Sequence, residues 1–295
     1  MQGKEVFISK NMLENLYISK KLNAYQIAKR VSCGSSTVYR KLEKYGIKRR
    51  DNSECHMRYS RKPFSRNKKE MAYLIGFRLG DLHVRKAIDL PGCKTVRVEG
   101  HTTKKEQTQL IESLFKRYSH VHTKEILNGN GIPGMTTTRI LCFLDSSFSF
   151  LLPKNDVIEE WIEQDRGLFL SFLAGYIDAE GHIGLHTTNG SPQVKISSYD
   201  KGILNGIHRK LSDLGVRSSY RLHIKKGYSS PSYTTRVYRK DIWTVSIYVP
   251  YIELLLRFII PLLKHKKRHA DALKTLSEIS QRSYVSRKDK LARVG

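Results

Sequence analysis

The sequence has few cysteines and no long apolar run. Its 295 residues include four cysteines, at positions 33, 55, 93 and 142, and no two of them form a C-x-x-C pair. This spacing indicates neither a disulfide framework nor a zinc site. No stretch reaches the roughly 18 apolar residues of a membrane span, and the N-terminus lacks the apolar core of a secretory signal. We therefore expect no secretion and no membrane partner.

Acidic residues are also scarce relative to basic ones. The chain has 53 Lys and Arg residues against 27 Asp and Glu residues, a formal net charge of +26. A positive charge of this size favours a polyanionic partner, and nucleic acid is the first candidate. The alternative is a basic, solvated surface without a ligand, as on some ribosome-associated proteins.

Residues 1–50 have the pattern of a small helical unit. Asn23 is placed to cap a helix over residues 24–31, and Ser35 or Ser36 could cap a second helix that ends near Gly46. The pair resembles a helix-turn-helix, in which the second helix reads the major groove. A helical hairpin with a basic face is the alternative. The side chains expected to face DNA are Ser36, Thr37, Arg40, Lys41 and Lys44.

Residues 51–70 lack apolar periodicity and are basic, so we expect a linker that lies along the phosphate backbone or is simply solvated. Beyond it, the sequence repeats. The segments AYLIGFRLGDLHV (72–84) and SFLAGYIDAEGHI (171–183) share their apolar, glycine and acidic positions, which makes Asp81 and Glu180 equivalent. A period this long indicates duplicated domains.

The elements that follow each motif are also parallel, and each repeat is predicted to have the order αββαββα. The predicted fold is α+β, with two antiparallel sheets around a central pair of helices. The predicted segments are a first repeat (71–152), an inter-repeat linker (153–166), a second repeat (167–276) and a basic C-terminal tail (277–295).

The predicted strands alternate between apolar and polar residues. Arg221, His223 and Lys225 share one face, and Leu222 and Ile224 share the other. A sheet with one packed and one basic face fits a DNA groove, although a half-solvated sheet without a ligand has the same pattern. The candidate DNA contacts in the repeats are Arg85, Arg97, Lys195, Arg221, His223, Lys225, Arg236, Tyr238 and Lys240.

The two motif segments have small residues four positions apart: Gly76 and Gly80 in the first, Gly175 and Ala179 in the second. Such spacing puts the small residues on one helix face and lets two helices approach closely. If the helices pair there, Asp81 and Glu180 meet at two C-termini. Their mutual repulsion and both helix dipoles oppose this arrangement.

A divalent cation relieves all of these conflicts. Hard oxygen ligands completed by phosphate oxygens suit Mg²⁺, which points to metal-assisted phosphodiester hydrolysis. The alternative is a pair of ordinary helix-end acids bonded to backbone N–H groups.

The segments LAGYIDAEG (173–181) and LIGFRLGDL (74–82) resemble the motif of LAGLIDADG homing endonucleases, over about residues 70–275. Two copies imply the monomeric, pseudo-symmetric form, with the halves forming a saddle over double-stranded DNA. The resemblance assigns Asp81 and Glu180 to the catalytic Mg²⁺ (or Mn²⁺), and it gives Asp178 a bonding role near the interface. Two residues depart from the pattern: Leu82 replaces a glycine, and Arg78, inside the helix, could face outward or pair with an acid across the interface.

The family also places basic residues beside the metal, where they polarise the attacking water or stabilise the charge that develops on phosphate. The matching positions are Lys154 in the first half and Lys266, Lys267 or Arg268 in the second. Plain phosphate contacts are the alternative for each residue. His182 and His186 are expected to be strand residues near DNA and not metal ligands.

The resemblance implies a site-specific, intron-encoded DNA endonuclease with a long, non-palindromic target. It would reside in the cytoplasm or organelle that holds its host gene. The alternatives are a non-catalytic DNA-binding regulator and a maturase that binds intron RNA.

Overall fold

The computed structural model describes residues 7–50, 59–88, 92–127, 134–229 and 237–292, with the backbone alone for residues 283–292. The chain divides into two compact units, residues 1–59 and residues 60–295. Within the described part of the chain, every helix is too short or too polar to cross a lipid bilayer.

The first unit is helical. It consists of α1 (Lys10–Glu14), a π-helical turn (Asn15–Ser19), α2 (Ala24–Arg30) and α3 (Ser35–Lys44). Asn23 caps α2 as predicted, because its side chain accepts from the N–H of Gln26 at 2.8 Å while the Gln26 side chain accepts from the N–H of Asn23 at 3.0 Å. The predicted cap of α3 by Ser35 or Ser36 is wrong. Gly34 is the N-cap residue and has no side chain to bond.

The second unit contains two copies of the predicted αββαββα order. The first copy comprises α4 (Lys68–Asp81), β1 (His83–Lys86), β2 (Thr95–Thr102), α5 (Lys105–Phe115), β3 (Val121–Leu127), β4 (Thr136–Asp145) and a 3₁₀ helix (Ser146–Leu151). After α6 (Glu160–Glu163), the second copy comprises α7 (Arg166–Glu180), β5 (Gly181–Leu185), β6 (Pro192–Ser198), α8 (Lys201–Asp213), β7 (Ser218–Ile224), β8 (Ile242–Ile247) and α9 (Val249–Ile259). A 3₁₀ turn (Ile260–Leu262) and α10 (Lys266–Ala292) follow.

Each copy forms one antiparallel sheet of four strands, in the orders β1-β2-β4-β3 and β5-β6-β8-β7. The strand order is therefore the same in both copies when the four strands of each are counted along the chain. Alternate residues of the inner strands, such as Val96 and Val98 in β2 and Val194 and Ile196 in β6, are buried in one core. The opposite faces carry the polar residues, as the alternation predicted.

The predicted linker over residues 51–70 is partly wrong. Residues 51–58 lie outside the described residues, but the chain from Ser60 onward belongs to the second unit. Phe64 is buried there, with its ring 5.2 Å from that of Phe148, and the N–H of Lys62 bonds to the carbonyl of Tyr118 at 2.8 Å. One aromatic residue therefore anchors a stretch whose composition is that of a linker.

The other two segments predicted as connections also pack against the core. The inter-repeat linker (153–166) buries Ile158 and Ile162 around α6. The described part of the basic tail (277–292) continues α10, which packs Leu276 and Ile279 against the core. Apolar residues spaced three or four apart on α10 explain why it continues as a helix.

The predicted alternation in the second sheet fails at its outer end. Leu222 is 40% exposed, because the register of edge strand β7 shifts between Leu222 and Ile224. Tyr238 and Lys240 precede β8, which begins at Ile242, and Lys225 follows the end of β7. Arg236 lies outside the described residues.

Candidate catalytic site at the ends of two paired helices

Helices α4 and α7 pack backbone to backbone along their small residues. A Cβ atom on Gly76 would lie 2.1 Å from the carbonyl oxygen of Phe172, and one on Gly175 would lie 2.1 Å from that of Tyr73. Neither contact is possible for a residue larger than glycine. Nearer the C-termini, a Cβ on Gly80 would lie 2.6 Å from the Cβ of Ala179. All four predicted interface residues therefore lie at this crossing.

The crossing brings the two acids together. Asp81 ends α4 and Glu180 ends α7, and a Cβ on Gly80 would lie 3.3 Å from Oε1 of Glu180. Burial, followed by the charge of Glu180, raises the pKa of Asp81 to about 7. Burial, followed by the charge of Asp200, raises the pKa of Glu180. The site is thus a pair of carboxyl groups whose charged forms are disfavoured by burial.

Two of the four predicted basic residues act on this pair. The positive charge of Arg268 lowers the pKa of both Asp81 and Glu180, and the charge of Lys154 lowers that of Glu180, although burial outweighs them. Lys267 instead forms an ion pair with Asp271 at 2.7 Å along its own helix. Lys266 is exposed at the first position of α10. The structure thus distinguishes Arg268 and Lys154 within the predicted group.

Gln107 is a site residue that the sequence analysis missed. Its Nε2 donates a hydrogen bond to Oδ2 of Asp81, and the residue is buried. On α5 it shares a face with the buried Leu110, Ile111 and Leu114. Gln107 is the one polar residue at the i, i+3, i+4 and i+7 positions of this buried face. That pattern could have indicated a buried polar contact. In the second half, Asp200 stands at the start of the corresponding helix, α8.

Asp178 fastens the start of α10 to α7. Its Oδ2 accepts hydrogen bonds from the hydroxyl of Tyr73 at 2.6 Å, the N–H of Lys264 at 2.7 Å and the N–H of His265 at 3.1 Å. The Nζ of Lys264 also lies 4.0 Å from the centre of the Tyr73 ring. These contacts hold the segment that leads into Arg268. The equivalent residue of the first motif is Leu79, so only one half has this fastening.

We expect Asp178→Ala to lower the free energy of unfolding by about 3 kcal/mol, because hydrogen bonds to a charged group contribute roughly 1.5–3 kcal/mol each and are not additive. Tyr73→Phe removes one of the three bonds and should cost about half as much. Urea unfolding followed by circular dichroism measures both. Equal stability of Tyr73→Phe and the wild type would show that Asp178 does not depend on this hydroxyl.

The two departures from the motif pattern have local explanations. Arg78 does not face outward, and it forms no ion pair with an acid among the described residues: it is buried, and its Nε donates to the carbonyl of Leu151 at 2.8 Å. It thereby satisfies the end of the 3₁₀ helix. Leu82 continues from α4 in extended conformation and is buried against Gly100. The turn after the first acid therefore tolerates a side chain, and Asp81 keeps its position.

The predicted DNA contacts are distributed over several surfaces. Arg40 and Lys44 are exposed on α3, while Thr37 and Lys41 are partly buried. Arg85, His182, Arg221 and His223 are exposed on strands, Arg97 and Lys195 are half-buried on inner strands, and His186 lies in the turn after β5.

The carboxylate pair predicts a specific dependence of stability on pH. Folded Asp81 keeps its proton up to about pH 7, whereas its ordinary pKa is 3.8, so the folded state binds more protons in this window. Stability should therefore fall as pH rises through it, and the raised pKa values of Glu180 and Asp178 act in the same direction. We expect the metal-free melting temperature to drop between about pH 4 and about pH 7.

The matched variant is Asp81→Asn, which should flatten this drop. Added Mn²⁺ should restore the melting temperature more at pH 8 than at pH 6, because a cation binds the deprotonated carboxylates. A melting temperature that rises across the same interval would contradict the assigned direction. Differential scanning calorimetry provides the measurement.

The region around the second motif is similar to a known protein family. Residues 169–246 match the family model of a LAGLIDADG-like domain. A search of curated protein sequences finds no match. Distant structural similarity is found to the homing endonuclease I-WcaI bound to its DNA recognition sequence (17% identity, 69% of this chain and 86% of that chain, TM-score 0.49). It is also found to I-DmoI in complex with DNA and Ca (17%, 70% and 97%, TM-score 0.45) and to I-GzeII in complex with its DNA target (12%, 72% and 92%, TM-score 0.41).

Proposed function

We propose that this chain, which contains a LAGLIDADG-like domain over residues 169–246, is a site-specific endonuclease that cuts both strands of DNA. The observation that carries the proposal is the meeting of Asp81 and Glu180, one from each repeat, at the ends of two helices packed through glycine. Mg²⁺ or Mn²⁺ is the proposed cofactor, and the active form is proposed to be a monomer because one chain supplies both acids.

The residues present fit a divalent cation. Oδ2 of Asp81 is bonded to Gln107, while no hydrogen bond from the described residues reaches the carboxylate of Glu180. Among those residues, no three acids, histidines or cysteines form a ready-made cluster, so phosphate and water oxygens would complete the coordination. When bound, the cation would supply Lewis acidity at the scissile phosphate and lower the pKa of a bound water.

The chain's own groups have separate tasks in this proposal. Gln107 holds the Asp81 carboxylate in one orientation through its side-chain amide. Arg268 and Lys154 place positive charge beside the acids, where negative charge develops on the phosphate during cleavage. Asp178 keeps Arg268 in reach by fastening the start of α10.

The polar faces of the two sheets are the proposed DNA-binding surface of the second unit. Their strands carry Arg85, Arg97, Lys195 and Arg221, and the net charge of +26 supports binding to a polyanion. Because the two faces carry different side chains, the target should be long and non-palindromic. We further propose that the chain is intron-encoded, which makes the uninterrupted junction of its host gene the candidate target.

The test is cleavage of a plasmid that carries this junction. Purified protein with Mg²⁺ should convert the plasmid to a linear form with one cut in each strand, and a scrambled junction should remain supercoiled. Tight, sequence-specific binding without cleavage in Mg²⁺ or Mn²⁺ would instead indicate a DNA-binding regulator. Preference for the intron RNA over the junction DNA would indicate a maturase.

The first unit is proposed to add DNA contacts through α3. Arg40 and Lys44 are exposed four residues apart and so lie on one helix face. If both contact phosphates, Arg40→Gln/Lys44→Gln should reduce the slope of log K against log salt concentration by about 1.8, since each phosphate contact contributes about 0.9. Lys20→Gln/Lys21→Gln, a double variant at exposed positions before α2, is the matched control. An equal slope for the α3 variant and the wild type would show that Arg40 and Lys44 do not contact phosphates.

A further inference from the structure

The polar face of the first sheet is rich in guanidinium groups at its centre. Strand register places its residues in rows across the sheet: one row pairs Thr95 with Asp145 at the start of β2, and three rows occupy the centre. The central rows are Arg85 and Arg97 with Phe143; His83, Glu99, Leu141 and His122; and His101, Arg139 and Lys124. Arg97 and Glu99 lie on β2 and Arg139 lies on β4, which are the two inner strands. Glu99 is the one acid in the three central rows.

The second sheet has different chemistry at the equivalent positions. The matching rows are Gly184 and Gln193; His182, Lys195, Ser246 and Ser219; and Ser197, Thr244 and Arg221. Lys195 therefore replaces Glu99, Gln193 replaces Arg97 and Thr244 replaces Arg139. Hydroxyl groups occupy the positions equivalent to His101 and Arg139, and those of Ser197 and Thr244 lie 2.7 Å apart. The two halves of the chain therefore present different groups to whatever they bind.

Glu99 holds both central guanidiniums of the first sheet. Its Oε2 accepts from Arg97 at 2.7 Å, and its Oε1 accepts from Nε of Arg139 at 2.5 Å. His101 lies 3.5 Å from the same Oε1. The Glu99 side chain is only 13% exposed, whereas that of Arg139 is 38% exposed. Burial opposes the charge of Glu99, but the two arginines outweigh it and hold its pKa below the ordinary value.

We propose that the first sheet reads guanine, with Arg97 and Arg139 as the base-contacting residues and Glu99 as the residue that positions them. This proposal rests on the proposed DNA-binding function. Each guanidinium has five N–H donors, so donors remain after the bonds to Glu99. Arginine paired in bidentate fashion with O6 and N7 of guanine is the commonest specific contact in the major groove.

The shared carboxylate explains why these two arginines suit the task. An arginine held in place before binding loses less side-chain entropy on contact with a base. Because the two guanidiniums meet on the two oxygens of one carboxylate, they should address neighbouring base pairs. The expected signature is a pair of adjacent guanines in one half of the target, and its absence at the corresponding place in the other half.

Selection from randomised DNA tests the proposal. The full-length Glu180→Gln variant is incubated with a library in Ca²⁺, and the bound sequences are counted. This background should bind without cutting, so the outcome does not depend on catalysis. With the first sheet unchanged, this variant should select two adjacent guanines in one half-site. Arg97→Gln and Arg139→Gln, added singly, should each reduce the guanine preference about tenfold at one position and leave the others unchanged.

Two further variants separate positioning from simple charge. Glu99→Gln should weaken the guanine preference at both positions, while affinity for non-specific DNA rises because a negative charge is lost. Thr244→Ala, at the position equivalent to Arg139, should leave both guanines selected. Arginine variants that lower affinity equally for all sequences would overturn the proposal and make these residues phosphate contacts. Failure to select any guanine pair would also overturn it. Plasmid cleavage by the wild type tests the proposed function separately from this selection.

Discussion

Asp81→Asn and Glu180→Gln are each expected to reduce DNA cleavage by more than about 100-fold, the upper range for losing even an outer partner of a metal site. Both variants keep the size of the side chain and one acceptor oxygen, but they remove the charge that would bind a cation. DNA affinity should not fall, because the negatively charged acids repel the phosphates. Quantified plasmid linearisation, with band shifts on the same preparations, measures both properties.

The matched control is Asp213→Asn. Asp213 is also the last residue of a helix, α8, but it is exposed and pairs with Lys210. Its variant should cut as well as the wild type. Full cleavage by either Asp81→Asn or Glu180→Gln would remove that residue from the site. Loss of cleavage in the Asp213 variant would show that the assay reports helix-end charge in general.

Gly76→Ala and Gly175→Ala should both be strongly destabilising, although each adds only one methyl group. Each added Cβ would lie 2.1 Å from a backbone carbonyl oxygen of the facing helix. Because backbone cannot turn away as a side chain can, the helices must separate, and we expect a loss of at least about 3 kcal/mol, the upper end for overpacking. Chemical unfolding, or loss of soluble folded protein, records the effect.

Gly184→Ala provides the control, since an added Cβ there would be 3.6 Å from its nearest neighbour, an ordinary contact. It should change stability by less than about 1 kcal/mol. If Gly175→Ala were as stable as Gly184→Ala, the close pairing of α4 and α7 would be wrong, and with it the meeting of the two acids.

The repeated architecture was predictable because its signals are local. The two motifs share their apolar, glycine and acidic positions without a gap, and hydrophobic periodicity marks the strands and helices between them. The αββαββα order and the α+β fold class are confirmed by the structure. The placement of Gly76 and Gly175 also followed from four-residue spacing, since that spacing puts small residues on one helix face.

The remaining parts of the site depend on contacts that are distant in sequence. Gln107 reaches Asp81 across 26 residues, and Asp178 bonds to the N–H groups of Lys264 and His265 across more than 80. No local pattern specifies such partners. The basic composition of residues 51–70 also predicted a linker, but the burial of a single aromatic residue, Phe64, packs part of this stretch against the core.

We propose that acids from the two repeats bind the same cation, and Mn²⁺ titration distinguishes a shared site from separate ones. The titration is carried out on the protein bound to its target DNA, for the wild type, Asp81→Asn and Glu180→Gln. We predict that each single substitution weakens Mn²⁺ binding by more than about tenfold, because losing a ligand should exceed the smaller effects of losing an outer partner. Mn²⁺ affinity equal to that of the wild type in either variant would contradict a shared site.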